Sequence, residues 1–254
     1  GNYWDMYDPD EIDLPSSFGK GNIAPLEYLW QARDAGDAVR DSATVPFAVS
    51  EDEARVIIAL TYGMITMVDD AVGGIAAALE RLGLAGNTVV MFTADHGDFM
   101  GDHGIMLKYL LHYQGLIRVP FICNVPGQGA AVRSDLAQTI DIGATVLGFA
   151  GLQPFNGMQG RDLLASDVPA PDDILIEEDS IIRMFDEKPG DRVRTLVTGR
   201  WRLSCHQEAG WWELYDLVND PDELDNLWGQ EAVRDIAGEL MQRIPWLQKH
   251  VGGS

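Results

Sequence analysis

The residues with the clearest potential for chemistry lie directly after a short apolar run, Val89 to Phe92, in the sequence TADHG at positions 93–97. Asp95 offers a hard anionic oxygen and His96 a neutral imidazole nitrogen, a pair that suits a divalent cation of the calcium, magnesium or manganese kind. Adjacent side chains point to opposite faces of an extended strand, but on a loop both can turn toward one ion, and Gly97 permits such a turn. We therefore predict that Asp95 and His96 bind a metal ion; the alternative is an aspartate that caps a turn beside a surface histidine.

The apolar run before this pair is the element that must position it. Val89 to Phe92 is rich in β-forming residues and lacks polar alternation, which is typical of a strand buried on both faces of a parallel sheet. Such a strand delivers the residues after it to the carboxyl edge of the sheet, where ligands collect in open α/β folds. Phe121 to Val125 is predicted to be a second buried strand of the same kind.

A long amphipathic helix is predicted upstream of the first strand. Over residues 51–82, apolar side chains recur at steps of three and four, which indicates one core-facing stripe. Ser50 followed by Glu53 is a capping-box pattern at its start. Asp69 and Asp70 fall inside the helix. They could be metal carboxylates, but we favour a solvated face or a local hydrogen bond.

The later part of the chain carries elements of a different kind. A helix capped by Ser134 is predicted to end at Gly151. Residues 153–173 are rich in proline, glycine and aspartate, so a boundary between domains or layers is expected there. Closely spaced candidate strands then predict an antiparallel sheet, followed by a final helix over residues 233–247. The strands are predicted at 174–178, 195–198, 201–206 and 212–217.

The charge of the chain narrows the classes of partner. With 40 acidic and 18 basic residues, its formal net charge is -22, and this field repels a nucleic-acid backbone. A small anionic substrate could still bind at a local positive site made by a metal ion or a lysine. No membrane partner is expected, because Asp69, Asp70 and Glu80 interrupt the apolar segment 57–84. The sequence indicates neither an oligomeric state nor a compartment.

Several short segments, taken in order, resemble the sulfatases of the alkaline phosphatase superfamily. A lone Asp-His-Gly would be weak evidence, but several matching segments in register are strong evidence. The resemblance covers nearly all of the chain, but only the later half of a typical family member. The segments are YDPDEIDLP at 7–15, TADHG at 93–97, GDHG at 101–104, Lys108, IRVP at 117–120, ELYDL at 213–217, DPDE at 220–223 and NL at 226–227.

This resemblance implies a fold and a division of the chain. The fold class is α/β, with a mostly parallel sheet flanked by helices that is incomplete in this chain, plus a small carboxyl-terminal antiparallel sheet with a helix. Residues 1–165 would be the later half of the catalytic domain, and residues 166–254 a carboxyl-terminal α+β subdomain. In the family, the nucleophile is a formylglycine made from the cysteine or serine of a Cys/Ser-x-Pro-x-Arg motif. Neither Cys123 nor Cys205 has that context, so the chain alone is expected to be inactive.

The resemblance also assigns roles to single residues. Asp95 and His96 would complete the metal shell, for which the family usually uses calcium; the histidine, where many members have asparagine, leaves manganese or magnesium open. Lys108 would contact a non-bridging oxygen of the ester and offset its charge; the alternative is a solvated surface lysine. His112 would donate a proton to the leaving oxygen or bind substrate, and a packed histidine is an equal alternative.

The implied function is metal-dependent hydrolysis of the sulfate esters of small molecules. A phosphonate monoester or phosphodiester hydrolase on the same scaffold is the alternative among hydrolases. A non-catalytic relative that acts as an acidic binding module is the alternative from a different class. The substrate alcohol is not indicated, because the pockets that bind it vary most in loops.

Overall fold

A computed structural model of the protein describes residues 3–38, 40, 45–165, 168–180 and 191–244. The chain divides into two compact units. The first includes Gly1–Ala130 and Asp222–Asp225, and the second includes Ala131–Arg183, Glu187–Pro221 and Asn226–Ser254. The boundary that the sequence places between residues 165 and 166 lies inside the second unit. As a boundary of the catalytic domain in a whole family member, it stays a prediction.

Two helices dominate the first unit. Helix α1 spans Ala24–Ala35, and helix α2 spans Glu51–Arg81. The predicted capping box at the start of α2 is confirmed: the Glu53 amide donates to Ser50 Oγ over 3.3 Å, and the Glu53 carboxylate accepts from the Ser50 amide over 2.9 Å. These bonds satisfy amide groups that the first turn of a helix leaves without partners.

The buried residues of helix α2 all lie in its first half. Ala54, Ile58 and Ala59 are buried, whereas no residue from Met64 to Arg81 is. By length and composition α2 could cross a membrane, so the expectation that its acids exclude this was wrong. Length and composition alone are weak evidence for a membrane span, and the absence of a membrane partner stays a prediction.

The two aspartates within α2 fit the interpretation favoured from the sequence, a solvated face or a local hydrogen bond. Asp70 accepts a hydrogen bond of 2.6 Å from the Tyr3 hydroxyl, and Asp69 is exposed. The amino-terminal segment also lies close against the helix, since a Cβ atom on Gly63 would come within 2.1 Å of the Tyr3 carbonyl oxygen. The acids of α2 therefore hold local and solvent contacts, as favoured from the sequence.

Four short strands form two ladders in the first unit. The strands are β1 (Phe47–Ala48), β2 (Val90–Thr93), β3 (Ile105–Met106) and β4 (Phe121–Asn124), and helix α3 (Gln114–Ile117) precedes β4. Strand β1 pairs with β3, and β2 pairs with β4, both antiparallel. The expectation of parallel neighbours is wrong for these pairs. An apolar run does not encode strand direction. Here the segment from β2 to β4 contains the two-residue strand β3 and the four-residue helix α3, and this helix is shorter than that of a usual parallel crossover.

The burial of β2 and β4 also differs from the expectation. Every residue of β2 is half-buried, and Ile122 of β4 is 62% exposed. Cys123, which lies in the second run predicted to be a buried strand, is likewise half-buried. The apolar sequences of β2 and β4 are typical of strands buried on both faces, but in this structure the two strands form a ladder with exposed apolar side chains.

The second unit begins with a shorter helix than predicted. Helix α4 spans Asp141–Phe149, and Ser134 does not cap it. Instead, the Asp141 carboxylate accepts from the amides of Gln138 (2.9 Å) and Arg161 (2.9 Å), which fixes the start of the helix. Gly151, with φ +71°, follows its carboxyl end as predicted.

The predicted carboxyl-terminal antiparallel sheet is confirmed. Its strands run in the order β5 (Asp173–Ser180), β6 (Asp191–Thr198), β7 (Trp201–His206) and β8 (Trp211–Asp216), followed by helix α5 (Arg234–Gln242). The part of the final helix predicted beyond residue 244 lies outside the described residues. Leu196, Leu203 and Leu214 are cross-strand neighbours on one face and pack with Leu240 of α5. The α/β fold class with this sheet is thus observed.

Candidate active site

The loop after β2 is held by close backbone contacts. The Gly97 amide donates to the Leu116 carbonyl over 2.7 Å, and a Cβ atom on residue 97 would lie 1.9 Å from the Gly115 carbonyl oxygen. The backbone at Gly97 is not left-handed, so glycine is needed for close approach to α3 instead of for a turn. This contact fixes the peptide that carries His96.

Asp95 and His96 leave β2 with their side chains turned toward each other. The Asp95 Oδ1 atom accepts from the His96 amide over 2.9 Å, and this hydrogen bond is the main cause that lowers the pKa of Asp95. The other oxygen, Oδ2, lies 3.5 Å from His96 Nε2. The Asp95 side chain is 87% exposed, so it is open to an ion from solvent.

The tautomer of His96 follows from its neighbours. Nδ1 lies 2.7 Å from the Gly97 carbonyl oxygen, and because a carbonyl can only accept, Nδ1 carries the hydrogen. Nε2 lies 2.6 Å from Lys108 Nζ, and because an ammonium can only donate, Nε2 accepts with its lone pair. The structure therefore brings Asp95, His96 and Lys108 together.

Lys108 sits on a loop whose backbone is unusual on both sides of it. Leu107 (φ 70°), Tyr109 (φ 122°) and Leu110 (φ 54°) adopt positive φ values, which non-glycine residues rarely do and which each cost on the order of 1–3 kcal/mol. Surrounding contacts must compensate for this strain. Leu107 packs against a buried cluster that contains Val49, Ala54 and Met106.

Asp98 is a residue of this site that sequence reasoning missed. Its Oδ1 atom accepts from the amides of Met100 (3.0 Å) and Leu107 (3.1 Å), and the neighbouring Phe99 amide donates to the Leu107 carbonyl over 2.8 Å. Burial raises the pKa of Asp98, although both amides act in the opposite direction. Asp98 thereby ties the metal-candidate loop to the segment that presents Lys108.

Two family models match the chain. The model described as N-sulphoglucosamine sulphohydrolase, C-terminal, matches residues 101–250, more than half of the chain. The chain belongs to the sulfatase family. The model described as Sulfatase matches residues 32–152. The resemblance of the chain to the carboxyl-terminal portion of a sulfatase is thereby confirmed.

Individual relatives agree with this family assignment. An arylsulfatase of Clostridium perfringens is 30% identical over 257 residues, which are 97% of this chain and 48% of the relative. A putative sulfatase structure from Bacteroides thetaiotaomicron has a TM-score of 0.76 and 25% identity, covering 94% of this chain and 52% of that one. The phosphonate monoester hydrolase of Agrobacterium radiobacter shares the fold, with a TM-score of 0.78 at 23% identity over 98% of this chain and 53% of that one. This sulfatase-family chain spans about half the length of these relatives.

The donor atoms of this sulfatase-family chain fit a divalent cation in type and spacing. One carboxylate oxygen and one neutral imidazole nitrogen converge 3.5 Å apart, and two adjacent ligands at about 2.3–2.4 Å from one ion lie roughly 3.3 Å apart. The Nδ1–H group is held by a backbone carbonyl, as in metal-binding histidines generally. Among the described residues, however, no group of three or more such ligands occurs. Asp95 and His96 therefore supply two donor atoms that fit a divalent cation, and their role as metal ligands stays a prediction.

His112 is placed differently from the other candidates. It is buried, with 3% of its surface exposed, and lies in a tight segment where the Tyr113 amide donates to the Leu111 carbonyl over 2.9 Å. Burial fits the packed-histidine alternative, and the catalytic role of His112 stays a prediction.

The GDHG segment at 101–104 holds the site loop to the amino-terminal segment. Asp102 accepts from the Ser17 hydroxyl over 3.0 Å. His103 Nδ1 donates to the Lys20 carbonyl over 2.8 Å, and its ring stacks on Tyr113 at 4.0 Å between centroids. These contacts place the GDHG residues in support of the loop.

Proposed function

We propose that this chain is the carboxyl-terminal portion of a metal-dependent sulfatase that hydrolyses the sulfate esters of small molecules. Family membership supports the hydrolase class. The observation that carries the proposal is the convergence of Asp95 Oδ2, His96 Nε2 and Lys108 Nζ on the loop after β2. One anionic oxygen, one neutral nitrogen and one ammonium are what a site for a cation and an anionic ester requires.

Each of the three residues has a role in this proposal. Asp95 and His96 would hold the cation, with calcium first and manganese or magnesium as the other candidates. When bound, such an ion supplies Lewis-acid polarisation of ester oxygens and holds a nucleophile. Lys108 would place its positive charge beside a non-bridging oxygen of the ester, where charge increases as the bond breaks.

The nucleophile is proposed to come from outside this chain. Cys205 is buried in β7, and burial is the main cause that raises its pKa to about 12, which makes it an inert thiol. Burial also raises the pKa of Cys123. In the proposed enzyme a formylglycine upstream of this chain would attack sulfur, and the remaining metal ligands would also lie upstream.

The surface of the first unit supports an upstream portion that packs on it. The second half of α2 exposes large apolar side chains, among them Met64 and Ile65. Strands β2 and β4 pair only with each other among the described strands, which leaves two ladder edges and the side chain of Ile122 exposed. A two-stranded ladder is marginally stable alone, so these surfaces suit further strands and a covering layer.

A turnover assay tests this proposal. The chain alone, supplied with calcium or manganese, is expected to release no sulfate from an aryl sulfate, because two converging metal donors are found among its described residues and the nucleophile is proposed to lie upstream. Metal-dependent sulfate release by the isolated chain would contradict the proposal.

The same assay separates the alternatives in a polypeptide that joins this chain to its upstream portion. Faster hydrolysis of aryl sulfate than of aryl phosphonate supports the sulfatase. The reverse order supports a phosphonate hydrolase, whose fold this chain shares. No turnover of either ester, in a protein that still binds the esters, indicates a non-catalytic binding module.

A further inference from the structure

The contact between Lys108 and His96 uses the nitrogen that a metal ion would need. Nε2 carries the lone pair of the ring, because Nδ1–H donates to the Gly97 carbonyl over 2.7 Å. Lys108 Nζ approaches that same lone pair to 2.6 Å. One lone pair serves either an N–H donor or a metal ion, so the two cannot bind Nε2 together.

The two cations would also occupy similar positions relative to Asp95. Asp95 Oδ2 lies 3.5 Å from Nε2, so a metal ion bound by both atoms would lie on the side of the ring that the ammonium now faces. The Lys108 ammonium, at 2.6 Å from Nε2, also places one positive charge near the Asp95 carboxylate. A divalent ion at this position would attract the Asp95 carboxylate more strongly, because it carries twice the charge.

The backbone around Lys108 is held in place, so replacement of its ammonium by a metal ion at His96 would require only a movement of the Lys108 side chain. Leu107 is held by hydrogen bonds with Asp98 and Phe99, so a different backbone arrangement beside Lys108 would break these bonds. The lysine side chain, by contrast, has four flexible carbon atoms. It can leave Nε2 without a change in the loop.

We propose that Lys108 acts as an internal cation that holds the metal position at His96 until a divalent ion displaces it. The inference rests on the proposed metal site and adds an order of events: metal binding releases the ammonium, which then becomes available to a non-bridging oxygen of the ester. Lys108 would therefore lower the affinity for the metal while it serves the substrate. A lysine with a purely structural role at His96 would instead raise metal affinity by orienting the ring.

The sign of this effect is the test. Calorimetric titration with manganese and with calcium compares the wild-type chain with Lys108→Met, which removes the donor and keeps most of the apolar stem. Metal affinity is expected to increase by about tenfold or more, since the lost hydrogen bond involves a charged donor. Lys20→Met is the matched control: the Lys20 ammonium donates to the Ser16 carbonyl over 2.8 Å, and affinity is expected to change by less than about twofold.

A second readout follows Lys108 itself. In the wild-type chain, the rate at which an amine-reactive reagent modifies Lys108, measured by mass spectrometry, is expected to rise when manganese is added. In the Asp95→Ala variant, manganese is expected to leave that rate unchanged. Equal rates with and without manganese in the wild-type chain would contradict the displacement.

The outcomes separate this inference from the proposed function. If the wild-type chain binds metal, Asp95→Ala abolishes binding and Lys108→Met leaves affinity equal or weaker, the displacement is wrong and the metal site stands. If only Lys108→Met binds metal, the displacement is supported. If no variant binds metal, the displacement is contradicted for this chain. The proposed function places the remaining metal ligands upstream, so it is then decided by the turnover assay on the polypeptide that joins this chain to its upstream portion.

Discussion

Replacement of Glu213 by alanine is expected to lower the free energy of unfolding by about 3–5 kcal/mol, the usual cost of breaking a buried ion pair. Glu213 and Arg202 are both fully buried, and their side chains meet at 3.1 Å between Oε2 and Nη2. The second carboxylate oxygen of Glu213 lies 3.4 Å from His206 Nε2. Removal of the carboxylate leaves the Arg202 charge without its buried counter-ion.

Chemical unfolding followed by tryptophan fluorescence measures this loss, because Trp211 stacks on His206 with 3.7 Å between ring centroids. Glu231→Gln is the matched control. Glu231 pairs with Arg234, and both side chains are largely exposed, so a change within about 0.5 kcal/mol is expected. Glu213→Gln keeps the shape of the side chain and gives a second value if the alanine variant does not fold. A loss below about 1 kcal/mol in both Glu213 variants would show that the buried pair is not stabilising.

Acid is expected to destabilise the second unit through the same cluster. Burial is the largest influence on Glu213 and raises its pKa, but Arg202 and His206 outweigh burial and lower the pKa from 4.5 to about 2. A carboxyl group with a lowered pKa stabilises the fold above its unfolded pKa and loses that contribution as pH falls toward its folded pKa. Glu213 is therefore expected to contribute up to about 3 kcal/mol at neutral pH, and this contribution is lost between about pH 4.5 and 2.

His206 adds a second pH dependence of stability, opposite in sign to that of Glu213. Burial lowers its pKa, but the carboxylates of Asp191 (3.2 Å) and Glu213 outweigh burial and raise it above 6.5. A histidine with a raised pKa stabilises the fold below its unfolded pKa, and the contribution is lost as pH rises through its folded pKa. For this cluster, stability is expected to be greatest between about pH 4.5 and 6.5.

Unfolding by urea at a series of pH values tests this profile. The difference in unfolding free energy between the wild-type chain and Glu213→Gln is expected to shrink as pH falls from about 4.5 toward 2, because the wild-type carboxylate becomes protonated. A difference that stays constant over this range would contradict the low pKa of Glu213. Because the two proteins differ only at residue 213, the contributions of the other acids to the pH dependence cancel in this difference.

Some features could be read from the sequence because they depend on neighbouring residues. The capping box at Ser50 and Glu53 joins positions three apart, and the long helix after it has a clear period. The strands β5 to β8 follow each other closely, which leaves antiparallel pairing as the simplest arrangement. Asp95 and His96 follow β2 directly, so their convergence required only one turn of the loop.

Other features depend on contacts that sequence spacing does not encode. Lys108 reaches His96 because Leu107 and Tyr109 adopt positive φ values, and neither residue type signals such a conformation. Arg202 and Glu213 stand on strands where charged residues usually indicate a solvated face. Only the register of β7 against β8 brings them together in a buried position.

The direction and burial of β2 and β4 were mispredicted for a related reason. The apolar runs show that both faces of these strands are suited to burial. In this chain, however, the side chains of β2 and β4 are largely half-buried or exposed. The same runs would suit a larger sheet, which agrees with relatives about twice as long. Pairing direction depends on the connection between strands, which the strand sequences do not contain.

The most direct test of the account is calorimetric titration of the chain with calcium and manganese beside its Asp95→Ala variant. Asp95→Ala is expected to weaken binding by at least about 100-fold, because a directly bound ligand is worth no less than the groups that support it. Asp69→Ala removes an exposed acid of α2 and is expected to leave binding unchanged. Equal affinity in the wild-type chain and in Asp95→Ala would contradict the assignment of Asp95 and His96 as metal ligands, and with it the proposed hydrolytic site.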